Sequence, residues 1–333
     1  MRSNPKCRLA ETLFPIENDG VAGYINEFGH IVIEPRFNFA LPFSGAFGAV
    51  AIGNKWGYVD SRGTKVIPPM FDEAGQFSEG LARVKLRGKV GYITPDGLWL
   101  VPPTYEDGGR FSCGVAPIKI GEKWGYLDRS TAVVIRPIFD WAAEFCEEMA
   151  NVSVKNKWGY VTLDGSFLFS PEFDHSLPFS EGLAPVEVAG KWGYVNNEGS
   201  MQITPAFDGA VCFSHDLGLV NNSGEWGYID RLGNFVIPLQ FDYANPFREG
   251  MAGVRFHKQQ LCGYIEISGG WAIRPYFDDV RNFDNGLAMI FCGRGTAYIN
   301  HDGRIIWKSS GFNDVPIIGG GPDVPGSRPG FGR

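Results

Sequence analysis

The segment Gly121-Glu-Lys-Trp-Gly-Tyr-Leu-Asp128 is one copy of a motif that the chain repeats. Lys-Trp-Gly-Tyr followed by a branched apolar residue also begins at Lys55, Lys157 and Lys191. A catalytic site needs one unique arrangement of side chains, whereas a repeat supplies copies of a structural unit. The motif therefore indicates architecture and says little about chemistry.

Aligned on the Gly-Tyr pair, the chain divides into nine units of about 34 residues. The position of the glycine is held by Gly23, Gly57, Gly91, Gly125, Gly159, Gly193, Gly227, Gly263 and, in the ninth unit, Ala297. Each unit contains three short runs rich in β-branched and aromatic residues, separated by turns with Gly, Asp or Pro. The pattern predicts an all-β chain with three antiparallel strands in every unit.

A regular connection joins each third strand to the next unit. A proline at one position, such as Pro69, is expected to end the third strand, because proline cannot donate to a β-ladder. Two aromatic residues follow at fixed spacing, and we predict that their rings stack in rows between neighbouring units. The two series are Phe37, Phe71, Tyr105, Phe139, Phe173, Phe207, Phe241 and Phe277, and Phe43, Phe77, Phe111, Phe145, Phe179, Phe213, Phe247 and Phe283.

These motifs resemble the WG-repeat (KWG-repeat) family. The family pattern F-x-E-G-L-A-x-V, followed by G-K-W-G-Y-I-D, is matched by Phe179-Ser-Glu-Gly-Leu-Ala-Pro-Val186 and Gly190-Lys-Trp-Gly-Tyr-Val195. The resemblance covers residues 11 to 308. It implies a scaffold from a mainly bacterial family, with no general enzymatic activity attached to the repeat.

The repeats predict the organisation of the whole chain. Residues 1–10 are expected to form an N-terminal extension, residues 11–308 the nine repeats, and residues 309–333 a flexible tail rich in Gly and Pro. Each end unit has its own three strands, and nine blades exceed the usual four to eight of a propeller. We therefore expect an open β-solenoid or superhelical array, with a closed, β-propeller-like ring as the alternative.

The tryptophans are predicted to form a buried layer, the structural core of the repeats. We assume that the second hairpin of each unit has a two-residue loop. Trp99 and Trp271 of the third strands would then lie opposite the motif tyrosine, and Trp307 would lie opposite Thr296. These three tryptophans would replace the indoles that are missing from the motif in their units. The alternative interpretation is an aromatic platform for sugars or bases. The residues concerned are Trp56, Trp99, Trp124, Trp158, Trp192, Trp226, Trp271 and Trp307.

Two charged rows accompany the repeat. Lysines at one position of five successive units are expected to be solvated in hairpin turns, with a stripe for an acidic partner as the alternative. Acidic residues after the first aromatic series are expected to cap turns, with cation binding as the alternative. The rows are Lys55, Lys89, Lys123, Lys157 and Lys191, and Asp72, Glu106, Asp140, Asp174, Asp208, Asp242 and Asp278.

Composition narrows the classes of partner. A net charge of −7 gives no basic surface for nucleic acid, and no apolar run is long enough to span a membrane. The six cysteines show no metal-binding or disulfide spacing, the five histidines fall at different repeat positions, and no catalytic motif occurs. We expect a cytoplasmic protein without cofactor or metal.

The sequence thus favours a non-catalytic scaffold for protein–protein interaction. A glycan or cell-envelope binding module is the first alternative, and an enzyme whose site is not visible in the sequence is the second. Departures from the repeat offer a candidate patch, because two irregular hairpins in consecutive units are predicted to lie side by side. The candidate patch comprises His215, Asp216, Phe256, His257, Lys258, Gln259 and Gln260.

Overall fold

The computed structural model describes residues 12–256 and 260–313, and over these residues the chain is all-β and contains no helix. The prediction of an array of antiparallel units is confirmed. Units 1 to 3 contain β1 Leu13–Asn18, β2 Val21–Asn26, β3 Ile31–Phe37; β4 Phe39–Ala40, β5 Phe47–Ile52, β6 Lys55–Asp60, β7 Lys65–Phe71; and β8 Glu73–Ser78, β9 Leu81–Leu86, β10 Lys89–Ile93, β11 Trp99–Tyr105.

The next three units repeat this pattern. Units 4 to 6 contain β12 Asp107–Gly108, β13 Val115–Ile120, β14 Lys123–Asp128, β15 Val133–Phe139; β16 Trp141–Ala142, β17 Met149–Val154, β18 Lys157–Thr162, β19 Phe167–Phe173; and β20 His175–Ser176, β21 Leu183–Val188, β22 Lys191–Asn196, β23 Met201–Phe207.

The last three units differ in one strand that two of them share. Units 7 to 9 contain β24 Gly209–Ala210, β25 Gly218–Asn222, β26 Glu225–Ile229, β27 Phe235–Ala244; β28 Met251–Phe256, β29 Cys262–Glu266, β30 Trp271–Phe277; and β31 Asp279–Val280, β32 Leu287–Cys292, β33 Gly295–Asn300, β34 Ile305–Lys308. Because β27 runs through the connection, units 7 and 8 form one seven-stranded sheet.

From the second unit onward, a fourth strand extends the predicted three. The connection pairs with the first long strand of its own unit, as in unit 2, where the short strand β4 pairs with β5. Backbone bonds from Asn38 N to Ala51 O and from Leu41 N to Ala49 O extend this pairing, so the connection's polar groups are satisfied within the sheet. Each sheet is open, with two edges, and no sheet in the described part of the chain closes into a barrel.

The prediction that proline ends the third strand is wrong, because the strand continues for two residues beyond it. In unit 2, Trp56 pairs with Phe71 and Tyr58 pairs with Ile67, so three residues around Pro69 bulge against Gly57 alone. A Cβ atom on Gly57 would lie 2.5 Å from Ile67 O and 2.7 Å from Pro69 N. Proline is tolerated in the bulge, and the motif glycine makes room for it.

The predicted two-residue hairpin loop is also wrong. In unit 2 the last pair is Val59 with Lys65, and the turn spans Asp60 to Thr64, with a hydrogen bond from Asp60 N to Thr64 O. A shift of one residue moves side chains to the other face of the sheet. Trp99 and Trp271 therefore lie opposite isoleucines, Ile93 and Ile265, and Trp307 lies opposite Tyr298 rather than Thr296.

Neighbouring units pack through the predicted rows of rings. The motif tyrosine of each of the first eight units is buried and contacts the second connection aromatic of the next unit at 4.8 to 5.0 Å between ring centroids. Its hydroxyl donates to a backbone carbonyl of that unit, as from Tyr160 to Leu177 O at 2.7 Å. Burial raises the pKa of Tyr160 well above its ordinary value. These tyrosines form the deepest layer of the array.

The same contacts join the ninth unit to the first. Tyr298 lies 5.6 Å from the Phe14 ring and donates to Pro15 O at 2.8 Å. The two units share a buried cluster that contains Phe14, Ile16, Ile25, Leu287 and Tyr298. The sheets are individually open, but the array of units meets end to end. The expected array of open sheets is borne out, and its first and last units are in contact.

The first part of the predicted flexible tail is packed. Ser310 N donates to Asn18 Oδ1 at 2.9 Å, and the buried Phe312 forms a bridge with Gly293. Residues 309–313 thus contact both the first and the ninth units, which corrects the boundary of the tail at 309. The rest of the predicted tail and the N-terminal extension lie outside the described residues.

Candidate functional site

The lysine and acid rows pair with each other. Lys157 Nζ lies 2.6 Å from Asp174 Oδ1, and equivalent pairs join Lys55 to Asp72, Lys89 to Glu106, Lys123 to Asp140 and Lys191 to Asp208. The second oxygen of Asp174 accepts the N–H of Ala189 in a hairpin turn of the next unit. The Lys157 ammonium and this N–H hold the pKa of Asp174 below its ordinary value. The acid row caps turns as predicted, and the lysine stripe is neutralised by it.

In units 4 and 6 to 9, a side chain of the preceding unit caps the turn before the first long strand. The capping residues are Glu79, Glu147, Glu181, His215 and Glu249. Glu181 accepts hydrogen bonds from the N–H groups of His215 and Asp216, at 2.8 and 2.9 Å. His215 occupies the glutamate position of its own unit and accepts from Gly250 N with Nε2 at 3.3 Å. His215 therefore replaces a structural cap, with an imidazole nitrogen where other units use a carboxylate.

The structure does not bring the candidate patch together. The Ser214–Leu217 turn that holds His215 contacts the start of unit 8's first long strand, β28, through Gly250. Phe256 is the last residue of this six-residue strand, roughly 17 Å further along it. Asp216 and Gln260 are exposed, and His257, Lys258 and Gln259 lie outside the described residues. Among the described residues, His215 and Phe256 are therefore set apart along β28, and the rest of the patch stays a prediction.

A groove of about 630 Å³ runs across units 6 to 9 beside His215. Cys212, Arg248, Glu249 and Asn282 are among the residues that line it. Glu249 accepts from Gly286 N and lies 3.3 Å from His301 Nε2. Burial raises the pKa of the Cys212 thiol to about 11, so the thiol is uncharged at neutral pH. The groove is polar, and its glutamates and His215 are engaged in turn caps.

The tryptophans do not form the predicted buried layer. All eight residues assigned to it are half-buried or exposed, whereas the tyrosine beyond the motif glycine is buried. Trp99 packs edge-on against Phe71 of the preceding unit at 5.8 Å, and Trp271 packs against Phe256 at 5.3 Å. Trp99 thus bridges units 2 and 3, whereas Trp271 contacts a ring of its own unit, and neither substitutes for a missing motif tryptophan.

Four rings form a continuous aromatic row over units 5 and 6. Trp141 lies 5.2 Å from Trp158, His175 lies 4.9 Å from Trp158, and Trp192 lies 5.5 Å from His175. Trp141 and His175 occupy the first position of a short edge strand, where neighbouring units carry Asp107 and Gly209. The sequence analysis did not predict this row, because Trp141 and His175 lie in the connections, outside the motif strands and third strands. The signal was an aromatic residue directly after the capping aspartate in two consecutive units.

Exposed apolar residues form a belt along the third strands. In units 1 to 6, 8 and 9 the third strand is the edge of its sheet, so its outer backbone groups face away from the ladder. In units 1, 2 and 4 to 8, one or both of the first two positions of the third strand carry a large apolar side chain with more than a third of its surface exposed. The belt residues are Ile31, Val66, Val133, Val134, Phe167, Met201, Phe235, Val236 and Trp271.

Residues 12–256 and 260–313 contain neither a metal-binding cluster nor a membrane-spanning helix. No group of three or more His, Cys, Asp or Glu side chains in these ranges is arranged to hold a metal ion. The same part of the chain contains no helix that could cross a membrane.

The repeats match a known family model. The model of the WG-containing repeat aligns with eight tandem segments, at residues 23–56, 56–89, 91–124, 124–158, 158–192, 192–226, 226–258 and 263–293. No curated protein matches the chain.

Solved structures resemble the fold at low sequence identity. A eukaryotic initiation factor is similar with a TM-score of 0.64 and 11% identity, over 90% of this chain and 96% of that chain. The dihydro-heme d1 dehydrogenase NirN, in complex with DHE, has a TM-score of 0.50 and 11% identity, over 92% of this chain and 75% of its own. At such identity the likeness concerns the fold alone.

Proposed function

Because the chain belongs to the family of proteins built from WG-containing repeats, we propose that it is a non-catalytic scaffold that docks another protein. The observation that carries this proposal is the belt of exposed apolar residues on the third strands. Exposed apolar side chains that recur at one place in successive units offer a surface on which a protein partner could dock. The lysine and acid rows are paired with each other and serve the fold. The exposed belt is therefore the better candidate for the surface that contacts a partner.

The experiment is an affinity pull-down from the source lysate, analysed for a stoichiometric partner. Val134→Glu combined with Val236→Glu places two charges on the belt, at side chains that are 44% and 47% exposed. We expect the double variant to lose the partner and to keep the wild-type circular dichroism spectrum. Ile120→Glu is the matched control, because Ile120 is 42% exposed but lies at the end of a first long strand. Equal recovery by the double variant would remove the belt from consideration.

Carbohydrate binding is the second candidate function, and the half-exposed indoles favour it. An indole buried in a core cannot meet a ligand, whereas Trp141 is 42% exposed and Trp158 and Trp192 are half-buried. Binding would quench or shift tryptophan fluorescence when soluble glycans are titrated. If glycans leave the tryptophan fluorescence spectrum unchanged and the pull-down recovers a protein partner, carbohydrate binding is excluded and protein docking is supported.

A further inference from the structure

We propose that the aromatic row of Trp141, Trp158, His175 and Trp192 is a binding site for a neutral carbohydrate chain. The proposal rests on the second candidate function and assigns it a location. It begins with the continuity of the row. Ring centroids follow one another at 5.2, 4.9 and 5.5 Å, so apolar ring surface extends without interruption over two units.

The position of the row in the sheets explains why these rings meet. Trp141 pairs with Ser153, which pairs with Trp158, so the small Ser153 separates two indoles on one face of unit 5. His175, Glu187 and Trp192 form the equivalent line in unit 6. The imidazole then lies between the indoles of the two units. In unit 4 the equivalent three residues are Asp107, Lys119 and Trp124, so this unit has one ring where units 5 and 6 have two.

Two charged pairs flank three of the four rings along the chain. The Lys157–Asp174 pair stands next to Trp158 and His175 in the chain, and the Lys191–Asp208 pair is attached next to Trp192. The carboxylates and ammonium groups are half-exposed and retain hydrogen-bonding capacity beyond their mutual contacts. A ligand that fits must combine an apolar face with a polar edge, and a sugar ring has both.

Unpartnered polar atoms occur in the same two units. His175 Nδ1, within the row, is inaccessible to solvent and has no hydrogen-bond partner among the described residues. Asn151 Oδ1 is also inaccessible to solvent and has no hydrogen-bond partner among the described residues. The side chain of Asn151 is 3% exposed, and its amide nitrogen donates to Ser176 O in unit 6. Buried polar atoms are normally satisfied by protein, water or ligand. Three of the four such unpartnered atoms in the described part of the chain, these two and Ser176 Oγ, belong to units 5 and 6, so the fold itself satisfies polar groups least completely in this region.

Charge distinguishes a neutral glycan from a nucleic acid, which can also stack on aromatic rings. The chain has a net charge of −7, and each lysine beside the row is already paired with a carboxylate. A phosphate backbone would meet repulsion with no free cluster of cations to offset it. Neutral sugars carry no such penalty.

The experiment titrates the full chain with β-1,4-linked hexasaccharides of glucose, N-acetylglucosamine and xylose, followed by tryptophan fluorescence and calorimetry. We expect at least one of them to bind, and Trp141→Ala and Trp192→Ala each to weaken that binding at least tenfold. His175→Phe keeps a ring but removes both nitrogens, so we expect a smaller, few-fold loss. Oligothymidylate serves as the competing probe.

Trp124→Ala is the matched control, because Trp124 has the same motif position outside the row and should leave the affinity unchanged. Melting temperatures of all variants establish that each is folded. Binding that Trp141→Ala and Trp192→Ala leave intact, or that Trp124→Ala weakens equally, would overturn this location while the second candidate function stands. Absence of binding to all three hexasaccharides, or binding of oligothymidylate instead, would overturn both.

Discussion

At the scale of the residue, the motif glycine and the connection proline depend on each other. The proline bulge presses carbonyl and nitrogen atoms against the glycine in units 1 to 6 and 8, and in unit 7 Leu239 N takes the place of the proline nitrogen. The ninth unit has Ala297 in the glycine's place and Ser309 in the proline's, and there Ala297 pairs regularly with Lys308. Glycine is therefore required where the bulge is present.

Gly159→Ala tests this dependence. Its new Cβ atom would lie 2.3 Å from Phe169 O, so we expect a destabilisation of about 1–3 kcal/mol or more. Ala297→Gly is the reverse control and should cost only about 0.5–1 kcal/mol, from backbone entropy. Urea unfolding of both variants gives the comparison. Similar costs for the two substitutions would contradict the account of the bulge.

At the scale of the element, the acid row links each third strand to the first hairpin turn of the next unit. Five of its seven carboxylates contact a lysine of their own unit and a backbone N–H of the next, as Asp140 does with Lys123 and Lys155 N. Its pKa is lowered first by the lysine and then by the N–H. The pairs are exposed, so each contributes modestly and their repetition matters more than any one of them.

This row predicts how stability depends on pH. Since the folded-state pKa values of Asp140, Asp174 and Asp208 are lowered, their contribution is present above the ordinary carboxyl pKa of about 4 and is lost as pH falls towards the lowered values. Replacing all three by Asn should lower the melting temperature near neutral pH, and the difference from the wild type should shrink below about pH 4.

The control for this experiment is Glu198→Gln, a change of one exposed carboxylate in the turn from Asn196 to Ser200. Its melting curves should follow those of the wild type across the whole pH range. A difference for the triple variant that is equally large at acidic and neutral pH would show that the ionised carboxylates are not its cause.

At the scale of the whole molecule, Phe14 explains how the first and last units meet. Units 2 to 9 carry Gly or Ala at this position, and in unit 2 a Cβ atom on Gly48 would lie 2.5 Å from the Phe43 ring. The first unit has Leu9 at the position equivalent to Phe43, and Phe14 supplies the ring that contacts Tyr298. The departure from the pattern is thus a closing contact.

Phe14→Ala tests the contact between the ends. It should reduce hydrogen-exchange protection in peptides from residues 287–300 as well as in the first unit, because the two units share one buried cluster. Phe77→Ala, which removes a ring between units 2 and 3, should act first on those units. Unchanged protection in the ninth unit after Phe14→Ala would mean that the ends are apart in solution.

The local pattern of the sequence determined the repeat, the long strands and the rows of Tyr and Phe rings. These features follow from strand alternation and a constant spacing, which act within a unit and between neighbours. Register and closure were decided by the tertiary structure. A five-residue turn shifted the third strand by one residue and reversed the faces assigned to Trp99 and Trp271, and the rotation between units, summed over nine, brought Phe14 to Tyr298. Such a sum depends on every interface at once, and no single repeat encodes it.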